Sequence, residues 1–385
     1  MDTALLLLAL ITCITLIVTM IEFHIGFRTI LNLSKQTVLD EEQLPFISII
    51  FSALNEERDI ENALKTMLAL DYPAFEIIAI NDRSSDRTPA ILDAYQTQYP
   101  HRLRVIHITE LPKGWLGKNH ALHIGAKHAK GDWLLFTDAD VIMKTGLLKK
   151  AISYAVETHT DHLTIFEHHL RHPFWLKVFY LAHYLTYSLV VKPWRIRYAW
   201  SKKSLGHGSF NLVSKKSYIA CGGHQAIAME CLDDLKFGQL LKQHGFRQDT
   251  VDGRDFIERE WYKTLPEMIY GLKKNSFAFY EYRLLPTLRD LVFAFIFYLW
   301  PVIAVFVCTG TLRWLNIINV ALTIYMSVYI AKQYRLESKF AIFYPVSILL
   351  LLYTILNSVV SIYANKGVIW RGTHYSLDQL RNKSK

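Results

Sequence analysis

Four apolar runs constrain this chain more than any other feature. The first, ALLLLALITCITLIVTMI at residues 4–21, has only a few threonines among its apolar side chains. A bilayer core offers no water to backbone amides, so such a run must be helical there, and at about 1.5 Å per residue it is about long enough to cross ~30 Å of hydrocarbon. The opening Met1-Asp2-Thr3 lacks a positive flank and no small-x-small cleavage site precedes Arg28 and Lys35, so the run reads as a retained anchor, residues 1–33. Three further runs, 291–308, 315–331 and 340–364, make a C-terminal membrane region of residues 287–365. The last is the longest, the first contains Pro301 and the second carries two asparagines.

Charge then orients the chain. Arg28 and Lys35 follow the first run and Arg283 and Arg289 precede the second, which places the long middle region in the cytoplasm of an integral membrane protein, expected in a bacterial inner membrane. The tail, residues 366–385, carries Lys366, Arg371, Arg381, Lys383 and Lys385 and should stay on the same side. That requires only two of the three C-terminal runs to cross; 291–308, interrupted by Pro301, is expected to lie along the bilayer surface. The net charge of +9 does not imply nucleic acid as a partner. Basic residues mix with aromatics, as in VKPWRIRYAWSKKS at 191–204, which suits an anionic headgroup layer, and no nucleic-acid-binding motif occurs. Four cysteines without a C-x-x-C spacing read as structural thiols.

The middle region, residues 46–286 after a polar linker at 34–45, alternates strands and helices. FISIIFSA (46–53), FEIIAIND (75–82), LRVIHI (103–108) and DWLLFTD read as strands. NEERDIENALKTMLAL (55–70), RTPAILDAYQTQY and NHALHIGAKHA read as helices, the first from the spacing of Ile60, Leu64, Met67 and Leu68. Repeated strand, helix, strand predicts an α/β fold with a doubly wound, mostly parallel sheet that binds its ligand at the carboxyl ends of the strands. Those ends carry Asn55 and Glu56, then Asp82, then Asp138 and Asp140. Acids at strand ends are often only solvated turns. Three such ends on one sheet edge form a coherent site, and a carboxylate pair there suits a divalent cation that holds phosphates. No Gly-x-Gly-x-x-Gly follows the first strand, so a dinucleotide is not expected.

The stretches ISIIFSALNEERDIENALKTMLALDYPAFEIIAINDRSSDRT, WLGKNHALHIGAKHAKGDWLLFTDADV, GHGSFNLVSKKSYIACGGH and CLDDLKFGQLLKQHGFR occur in an order that resembles the family 2 inverting glycosyltransferases of GT-A fold. The resemblance runs from about residue 46 to 280. With the flanking apolar runs and the tail WRGTHY, the chain is similar to the non-processive membrane branch that glycosylates ceramide, hopanoid or carotenoid-type lipids. The resemblance implies a nucleotide diphosphate sugar donor, a UDP-hexose, a lipid hydroxyl acceptor, and Mg2+ or Mn2+ as cofactor.

It also implies roles. Asn55 and Glu56 match the nucleotide-contacting turn, Asp82 the acid that meets base or ribose, Lys118 a lysine near the donor phosphates, and Asp138 and Asp140 the metal-binding D-x-D. Inversion needs a base on the acceptor side. Asp234 matches the family's catalytic carboxylate, with Asp233 beside it where the family usually has Glu; Glu230 competes if the helix extends that far, and Asp233 alternatively caps the helix. FIEREWYKTLPEMIYGLKKN resembles the interfacial segment that closes over the donor, with Arg259, Trp261 and Lys274 as donor-binding candidates and aromatic anchoring at the bilayer as the alternative for Trp261 and Tyr262. It departs from the Q-x-x-R-W of processive synthases, which argues against polymer extrusion. EHHLRHP, residues 167–173, is not H-E-x-x-H, and headgroup contact suits it better than zinc. His207 lies in GHGSF, which resembles an acceptor-side loop, and either acceptor contact or simple loop packing is compatible with the sequence. The remaining alternatives are a processive or polyprenyl-phosphate transferase and a catalytically silent membrane scaffold.

Overall fold

A computed structural model describes residues 2–169, 173–370 and 373–381. The chain forms two compact units, one of residues 30–170 and 193–261, the other of residues 1–29, 171–192 and 262–385.

The first unit is built on seven strands. They include β1 (Ile47–Ala53), β2 (Phe75–Asp82), β3 (Leu103–Ile108), β4 (Trp133–Asp138), β6 (His162–Phe166), β8 (Asn211–Ser214) and β9 (Gln248–Asp252), in spatial order β3-β2-β1-β4-β8-β6-β9. All neighbours are parallel except β8, which runs against both β4 and β6. This is the expected doubly wound, mostly parallel sheet. The short strands β5 (Ile142–Met143), β7 (His168–His169) and β10 (Ile257–Arg259) form a second sheet in the order β5-β10-β7.

Every residue of β1 is buried, because helices cover both faces of the sheet. Strand alternation sends Ile47, Ile49 and Phe51 to one face, with Ile77, Leu135 and Leu163, under helices 60–68, 88–98 and 147–157. Ile50, Ile78, Ile80, Leu134 and Phe136 pack on the other face against Leu122, Phe237 and Leu241 of helices 117–128 and 233–243. Each such side chain contributes about 1.5–3 kcal/mol on burial, so a charge at Ile49 or Ile50 would unfold the sheet centre.

Three expectations change here. The helix assigned to 55–70 spans Ile60–Leu68, because residues before it turn: Asn55 takes a left-handed φ of 58° and Glu56 O accepts from Asp59 N and Ile60 N. The 34–45 segment is not a free linker. Leu33 is fully buried, Leu39 N–H donates to Ser153 Oγ, and Lys150 Nζ donates to the carbonyls of Ser34 and Gln36, so it is strapped to this unit. The unit boundary falls at residue 261 rather than 286, and residues 171–192 are set apart from it.

The second unit is helical. Five helices of the described residues are long and apolar enough to cross a membrane: Thr3–Arg28, Phe174–Arg195, Leu284–Val307, Gly310–Gln333 and Ser338–Ala364. The second of these was not expected. Pro301 does not interrupt the third. A π-helical turn, Phe295–Leu299, joins Leu284–Ala294 to Trp300–Val307, and its wider winding accommodates a residue that lacks an N–H and crowds the preceding turn. The N-terminal helix packs on Gly310–Gln333, where Asn319 Nδ2 donates to Ala9 O at 3.0 Å, a polar tie of the kind that joins helices in lipid. Strands 367–370 and 373–376 pair as a hairpin, and Lys274 lies 3.9 Å from the Trp370 ring centre, so its partner here is an aromatic face. Arg371, Lys383 and Lys385 of the basic tail, the Arg371-Gly372 step of WRGTHY and His172 of EHHLRHP lie outside the described residues.

Candidate active site

Four pieces of the α/β unit bring charge to one place. β4 ends at Asp138, followed by buried Ala139 and by Asp140. Lys118 is the second residue of helix 117–128, and Asp233 and Asp234 form the first turn of helix 233–243. Arg259 ends β10, whose antiparallel pairing of Glu258 with Ile142 sets Arg259 beside the D-x-D turn.

Lys118 Nζ lies 2.9 Å from Asp138 Oδ1 and 2.9 Å from Asp233 Oδ2. Arg259 Nη1 lies 2.8 Å from Asp138 Oδ2, and its Nε donates to Asp140 Oδ2 at 3.2 Å. Both cations are largely buried. Asp140 Oδ1 is buried with no hydrogen-bond partner. Among the described residues Asp234 accepts from backbone only: Gly208 N–H donates to Oδ2 at 3.0 Å and Leu235 N–H to Oδ1 at 2.7 Å. A small cavity is lined by Lys118, Gly208, Asn211, Asp233, Asp234 and Phe237 among others.

Environment separates the acids. Burial pushes the Asp138 carboxyl up, but Lys118 and Arg259 outweigh it and hold the group well below the usual range. For Asp140, burial wins over Arg259, and with Asp138 and Glu167 close by the carboxyl is pushed up. Asp234 is also pushed up, first by burial and then by Asp233, against the pull of Lys118 and His207. Burial acts against Lys118 as well, yet Asp138, Asp233 and Asp234 raise it, so it stays an ammonium.

Several assignments change in detail. Leu232 occupies the helix N-cap, so Asp233 is not the cap; its carboxylate meets Lys118. Glu230 precedes the helix in a turn and shares no helical face with Asp234. Asp82, 1% exposed, is bidentately bound by Arg83 at 2.7 and 3.1 Å. Asn55 Oδ1 accepts from Ser85 N–H at 2.8 Å and Glu56 N–H donates to Thr88 Oγ1 at 2.8 Å, so this turn is stitched to the loop after β2. Arg259 ends a strand of the α/β unit, and Trp261, half-buried, is the last residue of that unit.

The sequence reading passed over Glu167, Gly208 and Asn211. Glu167 follows the end of β6, the same strand-end position that marked Asp138, but β6 itself was not read. Asn211 Oδ1 accepts from His207 N–H at 2.9 Å and faces His162 Nε2 at 3.1 Å, so Nε2 carries the proton; burial depresses His162 to about 4 and keeps it neutral. Among the described residues no cluster of three or more His, Cys, Asp or Glu is arranged to hold a metal ion.

The sequence profile of Glycosyl transferase family 2 matches residues 48–217. A 4,4'-diaponeurosporenoate glycosyltransferase of Staphylococcus haemolyticus is 25% identical over 259 residues, 64% of this chain and 65% of that protein. A beta-monoglucosyldiacylglycerol synthase of Synechocystis is 35% identical over 112 residues, 29% of this chain and 23% of that one. A poly-beta-1,6-N-acetyl-D-glucosamine synthase of Staphylococcus epidermidis is 30% identical over 112 residues, 29% and 26% of the two chains. The match thus spans less than two thirds of each of these relatives. The solved mannosyltransferase of Pyrobaculum calidifontis, in complex with GDP-Man and Mn2+, superposes with a TM-score of 0.55 at 16% identity, covering 93% of this chain and 99% of that one, which establishes a GT-A-like fold.

Proposed function

We propose that the chain, whose residues 48–217 match the glycosyl transferase family 2 profile, moves a hexose from a nucleotide diphosphate sugar, a UDP-sugar, to the hydroxyl of a membrane lipid, with inversion. One observation carries the reading. Gly208 holds Asp234, an acid bonded only to backbone, beside Asp138, which is already bound to two cations; a Cβ at 208 would lie 2.6 Å from Asp138 Oδ2 and 3.5 Å from Asp234 Oδ2. A phosphate-binding cluster and a raised carboxylate thus flank one glycine. The five apolar helices and relatives named for lipid acceptors favour a lipid over a soluble acceptor.

Asp234 takes the proton of the acceptor hydroxyl as its oxygen bonds to the anomeric carbon. The bond from that carbon to the diphosphate oxygen breaks, and its electron pair leaves with the nucleotide. Displacement in one step inverts the centre. A base raised above the usual aspartate range accepts a proton more readily near neutral pH. Lys118 has one donor left for the leaving diphosphate, and Asn55, Glu56 and Asp82 stand at the strand ends where base and ribose are expected.

The donor set fits a hard divalent cation, Mg2+ or Mn2+: two carboxylates, one with a buried oxygen lacking any partner, and the remaining ligands left to phosphates and water. Asp138 and Asp140 would hold it, and it would supply charge neutralisation at the diphosphate. The test is a panel of labelled nucleotide sugars with membranes containing the protein, followed by analysis of lipid extract and polymer. A single labelled sugar on extractable lipid is expected. Label in a growing polysaccharide would favour the processive reading, and no transfer from any donor would favour a silent scaffold.

A further inference from the structure

We infer that Arg259 is an exchangeable counter-ion of the Asp138–Asp140 pair, which makes the chain take up a divalent cation and a nucleoside diphosphate together rather than one after the other. The inference rests on the donor-site reading above. Between them the two carboxylates have four oxygens, and three are already engaged: Asp138 Oδ1 by Lys118, Asp138 Oδ2 and Asp140 Oδ2 by Arg259. Only Asp140 Oδ1 is without a partner. A cation that uses both acids must therefore displace either Lys118 from Asp138 Oδ1 or the guanidinium from Oδ2, and the guanidinium, which alone bridges the two acids, is the counter-ion that its charge competes with at both of them.

Displacement has a cost that geometry makes specific. Arg259 is largely buried, and an unpaired buried guanidinium is strongly disfavoured. Its backbone cannot retreat, since β10 is fixed on both sides, to Ile142 and Met143 of β5 and to His168 and His169 of β7. The side chain alone has to find a new anion. A diphosphate bound to the cation brings that anion to the same place, and a guanidinium fork suits phosphate oxygens. The cation alone leaves Arg259 with Glu167 nearby in place of the two-acid bridge it had, and the diphosphate alone meets carboxylates beside it. Each ligand removes the obstacle to the other, which is a coupling free energy between two adjacent sites.

The measurement is Mn2+ affinity of the full chain in detergent, read from the electron paramagnetic resonance signal of free Mn2+, without nucleotide and with saturating UDP or GDP. In the wild type, nucleotide should tighten Mn2+ by a factor in the roughly 5- to 150-fold range of ordinary coupling. Arg259→Gln should bind Mn2+ alone several-fold tighter than wild type, with the nucleotide effect reduced toward none. Arg259→Lys, whose ammonium cannot span both carboxylates as the fork does, should fall between them and decides the matter should the Gln variant not fold. Unchanged or weaker Mn2+ binding by Arg259→Gln without nucleotide would overturn the counter-ion role while leaving the donor site standing. A wild type that binds neither UDP nor GDP in the presence of Mn2+ would instead bring down the donor-site reading, and this inference with it.

Discussion

Gly208 and Asp234 are joined by a 3.0 Å hydrogen bond, from a backbone amide with no side chain to a carboxylate with no side-chain donor. The absence of a Cβ is what permits it, because a methyl group at 208 would stand 2.6 Å from Asp138 Oδ2. Gly208→Ala should therefore leave the sheet folded but force Asp138 aside. Overpacking of this size costs about 1–3 kcal/mol, and misplacing reacting groups by about 1 Å costs on the order of 10²-fold in rate. Turnover and thermal unfolding measured together check this; wild-type turnover in the alanine variant would refute the close approach.

Asp234→Asn keeps the shape of the side chain and one of its two backbone hydrogen bonds, since the amide oxygen still accepts from Gly208 N–H or Leu235 N–H while the NH2 cannot accept from the other. Donor binding should stay close to wild type while kcat falls by roughly 10² to 10⁴, the usual share of a general base. Collapse of donor affinity with turnover intact would assign the base elsewhere, to Asp233 first.

The pH dependence follows from the same group. A base works deprotonated, and burial together with Asp233 raises Asp234, so kcat should fall as pH drops through a value above the ordinary aspartate range of about 3.9. For stability the sign is opposite: a carboxyl raised in the folded state favours the fold as pH falls through its folded value and opposes it above. A kcat profile whose acid limb sits at an ordinary carboxylate pH would contradict the burial argument.

Lys118 is the counter-ion of two largely buried acids. Lys118→Met should destabilise the α/β unit by about 3–5 kcal/mol, the usual cost of leaving buried charge unpaired. Adding Asp233→Asn should recover part of that loss, since one stranded charge is removed. Denaturant unfolding of the single and double variants measures the recovery, and simple additivity of the two losses would exclude the pairing.

Transfer should require Mg2+ or Mn2+, stop in excess chelator and resume on adding either ion. Asp140→Ala and Asp140→Asn should both be inactive, because the amide keeps the shape but not the charge. Full activity in chelator would leave Lys118 and Arg259 as the only neutralising groups at the diphosphate.

How much of this was legible depended on what each residue was surrounded by. β1, β2 and β4 lie buried under helices on both faces, so their sequences are nearly continuous apolar runs; β3, at the sheet edge, alternates instead, with Arg104 and His107 exposed, and the bounds of all four were read to within one residue. β6, β8 and β9 were not read, since His162, Thr164, Asn211, Gln248, Asp249 and Thr250 put polar side chains inside the fold. Asp138, Lys118 and Asp234 were found from the order of motifs. Arg259 was named without its place, because its partner Asp140 is 119 residues away and only the β5–β10 pairing brings the two together.

The helix Phe174–Val191 has one property that its composition conceals. The segments on either side of it, ending at residue 170 and resuming at residue 193, belong to the same α/β unit. The chain thus leaves the α/β unit and re-enters it through a single apolar helix, and 56% of the most apolar window of that helix is buried inside the protein, so much of its apolar surface is already taken up by protein contacts.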